Sequence, residues 1–268
     1  MVMYTMTDLQ YQAVYNVLSF ALASMAATTM YLWFRASAVH DKYKSAVYIS
    51  GLVTFIAAYH YVRIFNSWVD AYSYEGVFGG EGPKLTGVPF NDAYRYMDWL
   101  LTVPLLLIEI LLVMKLEGDD FNSRAWTLGF GSALMIVSGY YGELVVTGDL
   151  TPRWVCWFAS MSFFLYIVYE LLVGLAAATA SEANPEIAKK IATAQVMTVI
   201  SMCTFQIVYM FSMLGFSAAK AVVSSKLGCC ASDIVPKVRS RHHHLRDLLR
   251  EIQQGLLLSL NVCMVRRG

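Results

Sequence analysis

The segment 94–114 reads Tyr94-Arg95-Tyr96-Met97-Asp98-Trp99-Leu100-Leu101-Thr102-Val103-Pro104-Leu105-Leu106-Leu107-Ile108-Glu109-Ile110-Leu111-Leu112-Val113-Met114. It has the length of roughly 20 residues that a bilayer-spanning helix needs, and its charges are Arg95, Asp98 and Glu109. A carboxylate at the centre of a membrane helix costs at least ~2.5–3.5 kcal/mol, so such groups face a bundle interior where a partner or water exists. At about 100° per residue, Arg95, Asp98, Thr102 and Glu109 fall close to one helical face and form a single polar stripe. Asp98 and Glu109 stand roughly 16 Å apart along the axis, too far to share one proton. Two carboxyl groups at different depths on one stripe read as two stations on a proton path.

Working outward, the chain has 268 residues, of which 57% are hydrophobic and 15% charged. A soluble domain carries about 25% charge, so the deficit points to a polytopic membrane protein. The net charge of +1 argues against nucleic acid as a partner. The five cysteines show no spaced CxxC pair, which leaves neither a disulfide framework nor a zinc site. No basic n-region or small-residue cleavage site precedes the first apolar run, so the first span is expected to direct insertion itself.

Hydropathy places seven spans, at about 11–34, 45–68, 94–114, 124–146, 154–178, 191–214 and from 218 onward. The fold expected is an all-α membrane protein, a seven-transmembrane-helix bundle. Arg35, Lys42 and Lys44 follow the first span, and Lys189 and Lys190 precede the sixth. Both loops lie on one side if the spans alternate, so the positive-inside bias puts the N-terminus outside. The glycine-rich loop 70–92, with Pro83 and Pro89, is long enough for a hairpin that caps the bundle. Trp33, Trp68, Trp126 and Trp154 near span ends read as interfacial belts. Asp119 and Asp120 read as solvated loop charge, while Glu143 and Glu170 are either buried hydrogen-bonded carboxyls or interfacial ones.

The last span holds a second anomaly: Asp233 and Lys237 are four residues apart, on one face and one turn from each other. A desolvated lysine with a lowered pKa is the usual amine for a Schiff base with an aldehyde.

These residues together resemble a microbial (type 1) rhodopsin of the proteorhodopsin group, over about 11–237. The resemblance is carried by seven spans, the run from Arg95 to Pro104 and the Asp233–Lys237 pair. It implies a rhodopsin-like fold in which Lys237 binds all-trans retinal as a protonated Schiff base. It further implies that Asp98 is the primary counterion and proton acceptor, Asp233 the second counterion, and Arg95 the charge that holds the acceptor region in place. Glu109 falls where outward pumps keep the cytoplasmic proton donor. His60 matches the histidine beside the acceptor; without the resemblance it reads as a core histidine. Leu106 stands where the family varies between leucine and glutamine, leucine implying green absorption. Trp99, Leu106, Met202, Phe205 and Tyr209 are the implied retinal contacts, with Thr102 beside the acceptor. In the sixth span the family has Trp, Tyr and Pro where this chain has Met202, Phe205 and Gln206, keeping Tyr209. Cys229 replaces a pocket tyrosine.

The expected function is therefore a light-driven outward proton pump, not an enzyme, whose partners are retinal, the lipid bilayer and protons, with homo-oligomers left open. The rivals are a retinal photosensor signalling to a partner, a non-pumping degenerate rhodopsin, and a seven-helix receptor or transporter without retinal. No metal site is expected: His242, His243 and His244 are adjacent and cannot share one helix face.

After Lys237 the apolar text stops, and residues 238–268 form a charged tail. Lys237-Val238-Arg239-Ser240-Arg241-His242-His243-His244-Leu245 can be coded AAG GTG CGG TCT CGG CAC CAT CAT CTA. Dropping the base after the Lys237 codon gives Lys-Cys-Gly-Leu-Gly-Thr-Ile-Ile, an apolar continuation. Sequencing the transcript across Lys237 is expected to recover that frame; the present frame in several independent reads would sink the idea.

Overall fold

The computed structural model describes residues 5–39, 41–74, 82–114, 116, 118–144, 149–180, 185–211, 213–214 and 218–234. Lys237, the boundary at 237 and the tail lie outside the described residues.

Eight α-helices make seven spans among the described residues. Helix α1 is Asp8–Arg35 and ends in the 3-10 turn Ala36–Ala38; α2 is Asp41–Ala71. Next come β1 (Tyr72–Ser73), β2 (Lys84–Leu85) and α3 (Ala93–Val113). Helix α4 is Gly118–Leu144 and α5 is Thr151–Tyr169. A π turn, Glu170–Gly174, carries α5 on into α6, Ala176–Ala180. The last spans are α7 (Pro185–Phe211) and α8 (Ala218–Ile234). Five of these helical segments are long and apolar enough to cross a membrane.

Capping chemistry sets where spans begin, and hydropathy does not register it. α1 starts before residue 11 because Thr7 and Gln10 form a reciprocal capping box, with hydrogen bonds of 3.3 and 3.0 Å. Asp119 and Asp120, expected in a loop, are exposed residues in the first turn of α4, where negative charge suits the positive end of the helix dipole. Gly118 precedes them with φ of 64°, a left-handed conformation that glycine adopts without penalty.

Consecutive helices pack side by side from α1 to α5, and α8 closes the bundle between α1 and α7. One apolar cluster, around Leu107, Leu111, Leu128, Ile167 and Leu171, joins α3, α4 and α5 with α7. A second lies at the end of the bundle where α2 passes into α3. The hairpin expected there forms, with Tyr72 opposite Leu85 and Ser73 opposite Lys84. Thr86 fixes it to α2 by donating its hydroxyl to the Asp70 carbonyl at 2.6 Å. Trp68 is consequently 0% exposed, stacked on Tyr11 at 5.8 Å and against Tyr72 at 4.9 Å. It belongs to the core beneath the hairpin and not to an interfacial belt. Trp126, 77% exposed, and Phe34, 76% exposed, lie on the outer surface as lipid-facing side chains do.

Helices α4, α5 and α7 meet tightly at Gly142. A Cβ there would stand 2.7 Å from the Cys156 Cβ and would also strike the Tyr209 hydroxyl. Gly142→Val is expected to destabilise the bundle by about 1–3 kcal/mol through overpacking. Thermal unfolding in lipid checks this, and an unchanged melting temperature would refute so close a contact.

Candidate functional site

Midway along the bundle, α2, α3 and α8 bring their polar residues together. Asp98 is 1% exposed, Arg95 3%, Thr102 0% and Asp233 1%, so the first part of the α3 stripe does face inward. The Asp233 carboxylate is held from three sides. The Tyr61 hydroxyl donates to Oδ2 at 2.7 Å, the Trp99 indole N–H donates to Oδ1 at 3.3 Å, and Arg95 Nη1 lies 3.8 Å from Oδ2. Thr102 donates to the Asp98 carbonyl at 2.8 Å, the i−4 bond by which a threonine satisfies itself inside a helix. Two buried carboxyl groups and one guanidinium make a cluster whose natural complement is one further cation, because burying charge costs several kcal/mol per ion unless it is compensated.

His60 is buried on α2 beside Tyr61, and its Nδ1 contacts the Ile56 carbonyl at 2.9 Å. A carbonyl only accepts, so Nδ1 carries the hydrogen and Nε2 is the acceptor nitrogen of the neutral ring. Trp99 packs on Phe205 with ring centroids 4.2 Å apart. Met202 and Cys229 are buried in the same apolar cluster, with Leu106 packed against it. Tyr209, the remaining implied contact, lies between α4, α5 and α7. Its ring sits under Arg153 at 5.4 Å, and Arg153 pairs with Glu143.

Glu109, three turns along α3, is half-buried and accepts a hydrogen bond from the Ser50 hydroxyl of α2. Hydroxyls extend this polar track across α2 to α1: Thr29 donates to the Thr54 hydroxyl at 2.9 Å, and Thr54 contacts the Ser50 and Gly51 carbonyls at 3.2 and 3.0 Å. Glu170, like Glu143, proves to be ion-paired: its carboxylate accepts from Arg124 at 2.9 Å.

Sequence reasoning passed over Tyr61, Ser50, Asp92 and Lys226. Lys226 is 2% exposed and pairs with Asp92, its ammonium 4.5 Å from the centre of the Phe90 ring. The signal was present: Lys226 precedes Asp233 by seven residues, two turns on the same helical face. Ser50 and Tyr61 carry no comparable mark, since their partners lie 59 and 172 residues away in the chain.

A family described as bacteriorhodopsin-like protein matches residues 12–239. The chain is 30% identical over 175 residues to the green-light absorbing proteorhodopsin of Gamma-proteobacterium EBAC31A08, which covers 65% of this chain and 62% of that protein. It is 32% identical over 165 residues to the blue-light absorbing proteorhodopsin of Gamma-proteobacterium Hot 75m4, covering 62% and 58%. The matches thus span about three-fifths of the length of these curated relatives. Among solved structures, xanthorhodopsin, described as a light-driven ion pump with dual chromophore, superposes with a TM-score of 0.84 at 32% identity, covering 95% of this chain and 98% of that one. A thermophilic rhodopsin superposes with a TM-score of 0.86 at 32% identity, covering 95% and 100%. With the seven-span bundle and its buried acid–guanidinium cluster, these likenesses identify the chain as a member of the bacteriorhodopsin-like family of microbial rhodopsins, integral membrane proteins that cross the bilayer several times.

Proposed function

We propose that this protein is a light-driven outward proton pump that carries all-trans retinal on Lys237, with its N-terminus outside. The observation that carries the reading is a pair of buried acids, Asp98 and Asp233, the second ion-paired with the buried Arg95 guanidinium, with a third carboxyl, Glu109, farther along the same face of α3. The residues suit the group in charge and in apolar character. A protonated amine at Lys237, four residues after Asp233 in sequence, supplies a positive charge for these acids, and Trp99, Leu106, Met202 and Phe205 offer an apolar lining for a polyene. Retinal bound at that amine contributes visible absorption and a light-triggered change of shape.

The chain's own residues then move the proton. Lys237 Nζ gives its proton to the Asp98 carboxylate, whose proton affinity is set by burial and by Arg95. His60, with Nδ1 committed to Ile56, has Nε2 free to accept from a protonated carboxylic acid, which suits it to tune Asp98 over the physiological range. Asp233 is held in place by Tyr61 and Trp99, which both donate to its carboxyl group. Glu109 returns a proton to Lys237 from the other end of the stripe, and the Ser50 hydroxyl holds it until then. Leu106 favours green over blue absorption.

A non-pumping relic draws on a different observation. Gln206 stands in the sixth span where the family has proline, and it ties α7 to α5, donating to Ser160 at 3.3 Å and accepting from Trp157 at 3.2 Å. A helix held this way is less free to move during a cycle.

Membranes containing the full chain are expected to take up all-trans retinal with a visible band, and Lys237→Ala is expected to abolish it. Failure of the parent chain to colour would sink the pigment reading. Under illumination the medium is expected to acidify, and coloured membranes that leave its pH unchanged would favour the sensor or the relic. Glu109→Gln is expected to keep the band and slow recovery of the pigment after a flash by about 10²-fold, the usual scale for a lost proton donor. An unchanged recovery would remove Glu109 from the path.

A further inference from the structure

Asp92 stands at the N-cap of α3, where an aspartate usually accepts from the free N–H groups of the first turn. Here it makes no side-chain cap. It also precedes Arg95 by three residues, the spacing at which an acid and a base on one helix pair. It does not pair there either: its carboxylate is taken by Lys226 of α8, a lysine buried deep in the bundle.

Arg95 shows the other half of the arrangement. Its Nε, Nη1 and Nη2 atoms are buried without a well-formed hydrogen bond among the described residues, and the weakly accepting Cys230 sulfur is the side-chain group they approach. Its nearest anion by measured distance is Asp233, 3.8 Å away, and its Cζ lies 5.9 Å from the Tyr61 ring centre. A guanidinium so loosely tethered goes where the field sends it. Two anions compete for it: Asp233 inward, and Asp92 one turn toward the hairpin end.

We propose that Lys226 is a positioning residue: by holding the Asp92 carboxylate, it keeps the Arg95 guanidinium on the Asp98–Asp233 side and thereby sets the proton affinity of Asp98. This rests on reading Asp98 as the proton acceptor. The titratable groups brought to Arg95 are Tyr61 from α2, Cys229, Cys230 and Asp233 from α8, and Asp92 on its own helix, while α7 contributes the apolar Met202 and Phe205 to the neighbouring core. Without Lys226, Asp92 becomes an unpaired anion three residues before Arg95, on which its charge already acts. The guanidinium is drawn outward, and Asp98 loses the charge that favours its ionised form.

The test is an infrared titration of the carboxylic acid C=O stretch in membranes holding the full chain without retinal, with Asp98→Asn identifying the Asp98 band. Lys226→Met is expected to raise the pH at which Asp98 takes up its proton by about one unit, a tenfold gain in proton affinity. Lys226→Arg is expected to keep the parent value, and Lys226→Met with Asp92→Asn to return it. An unchanged midpoint in Lys226→Met overturns the proposal, as does a double variant shifted as far as the single one. Where Lys226→Met does not fold, the double variant, which leaves neither charge of the pair, decides: a midpoint at the parent value supports the proposal and a raised one overturns it. The titration needs no pigment, so its failure is separate from failure of the pump reading.

Discussion

A buried guanidinium paired with a buried acid is the constraint that organises this bundle. Arg95 and Asp233 come from helices far apart in sequence, and each ion withdrawn from water costs several kcal/mol unless an opposite charge and hydrogen-bond donors replace the solvent. Tyr61 and Trp99 supply those donors to Asp233. Meeting that demand fixes the inward faces of α2, α3 and α8 together. Rotating one of them would strand a charge, at a cost of about 3–5 kcal/mol for a broken buried pair.

Around this centre the polar groups are arranged by depth. At the hairpin end lie two ion pairs, Lys226 with Asp92 and Arg153 with Glu143. The opposite end holds Glu109 with Ser50 and, between α4 and the π turn, Arg124 with Glu170. Between the levels, the packed aliphatic cluster that includes Leu107, Leu111 and Ile167 leaves little room for water around α3. Separated polar levels on a dry helix are what directional proton movement needs, since a continuous water file would short-circuit it.

The sixth span departs from the proteorhodopsin pattern, and the bundle absorbs the departure. Gln206 is polar and buried, yet its amide and its backbone carbonyl both find partners on α5. Burying a polar group so paired costs little. Met202, a flexible side chain that fills irregular gaps, packs in the core where the family has a rigid indole. Phe205 keeps an aromatic surface against Trp99.

Seven spans, their order and the inward stripe on α3 were legible in the sequence, because hydropathy over about 20 residues and the 3.6-residue period are local properties. So was the approximate extent of each span, and misplaced starts trace to end effects that hydropathy averages away: a side-chain cap at α1 and acidic residues in the first turn of α4. The hairpin could be anticipated from its glycines and prolines, but its lid over Trp68 could not, since an indole at a span end looks interfacial until something folds across it. Tertiary structure alone decided the partners. Which hydroxyl meets Glu109, which phenol meets Asp233 and which acid takes Lys226 depend on helices packed from distant parts of the chain. Contacts of that kind are set by how whole faces fit together, and no periodicity within one helix records them.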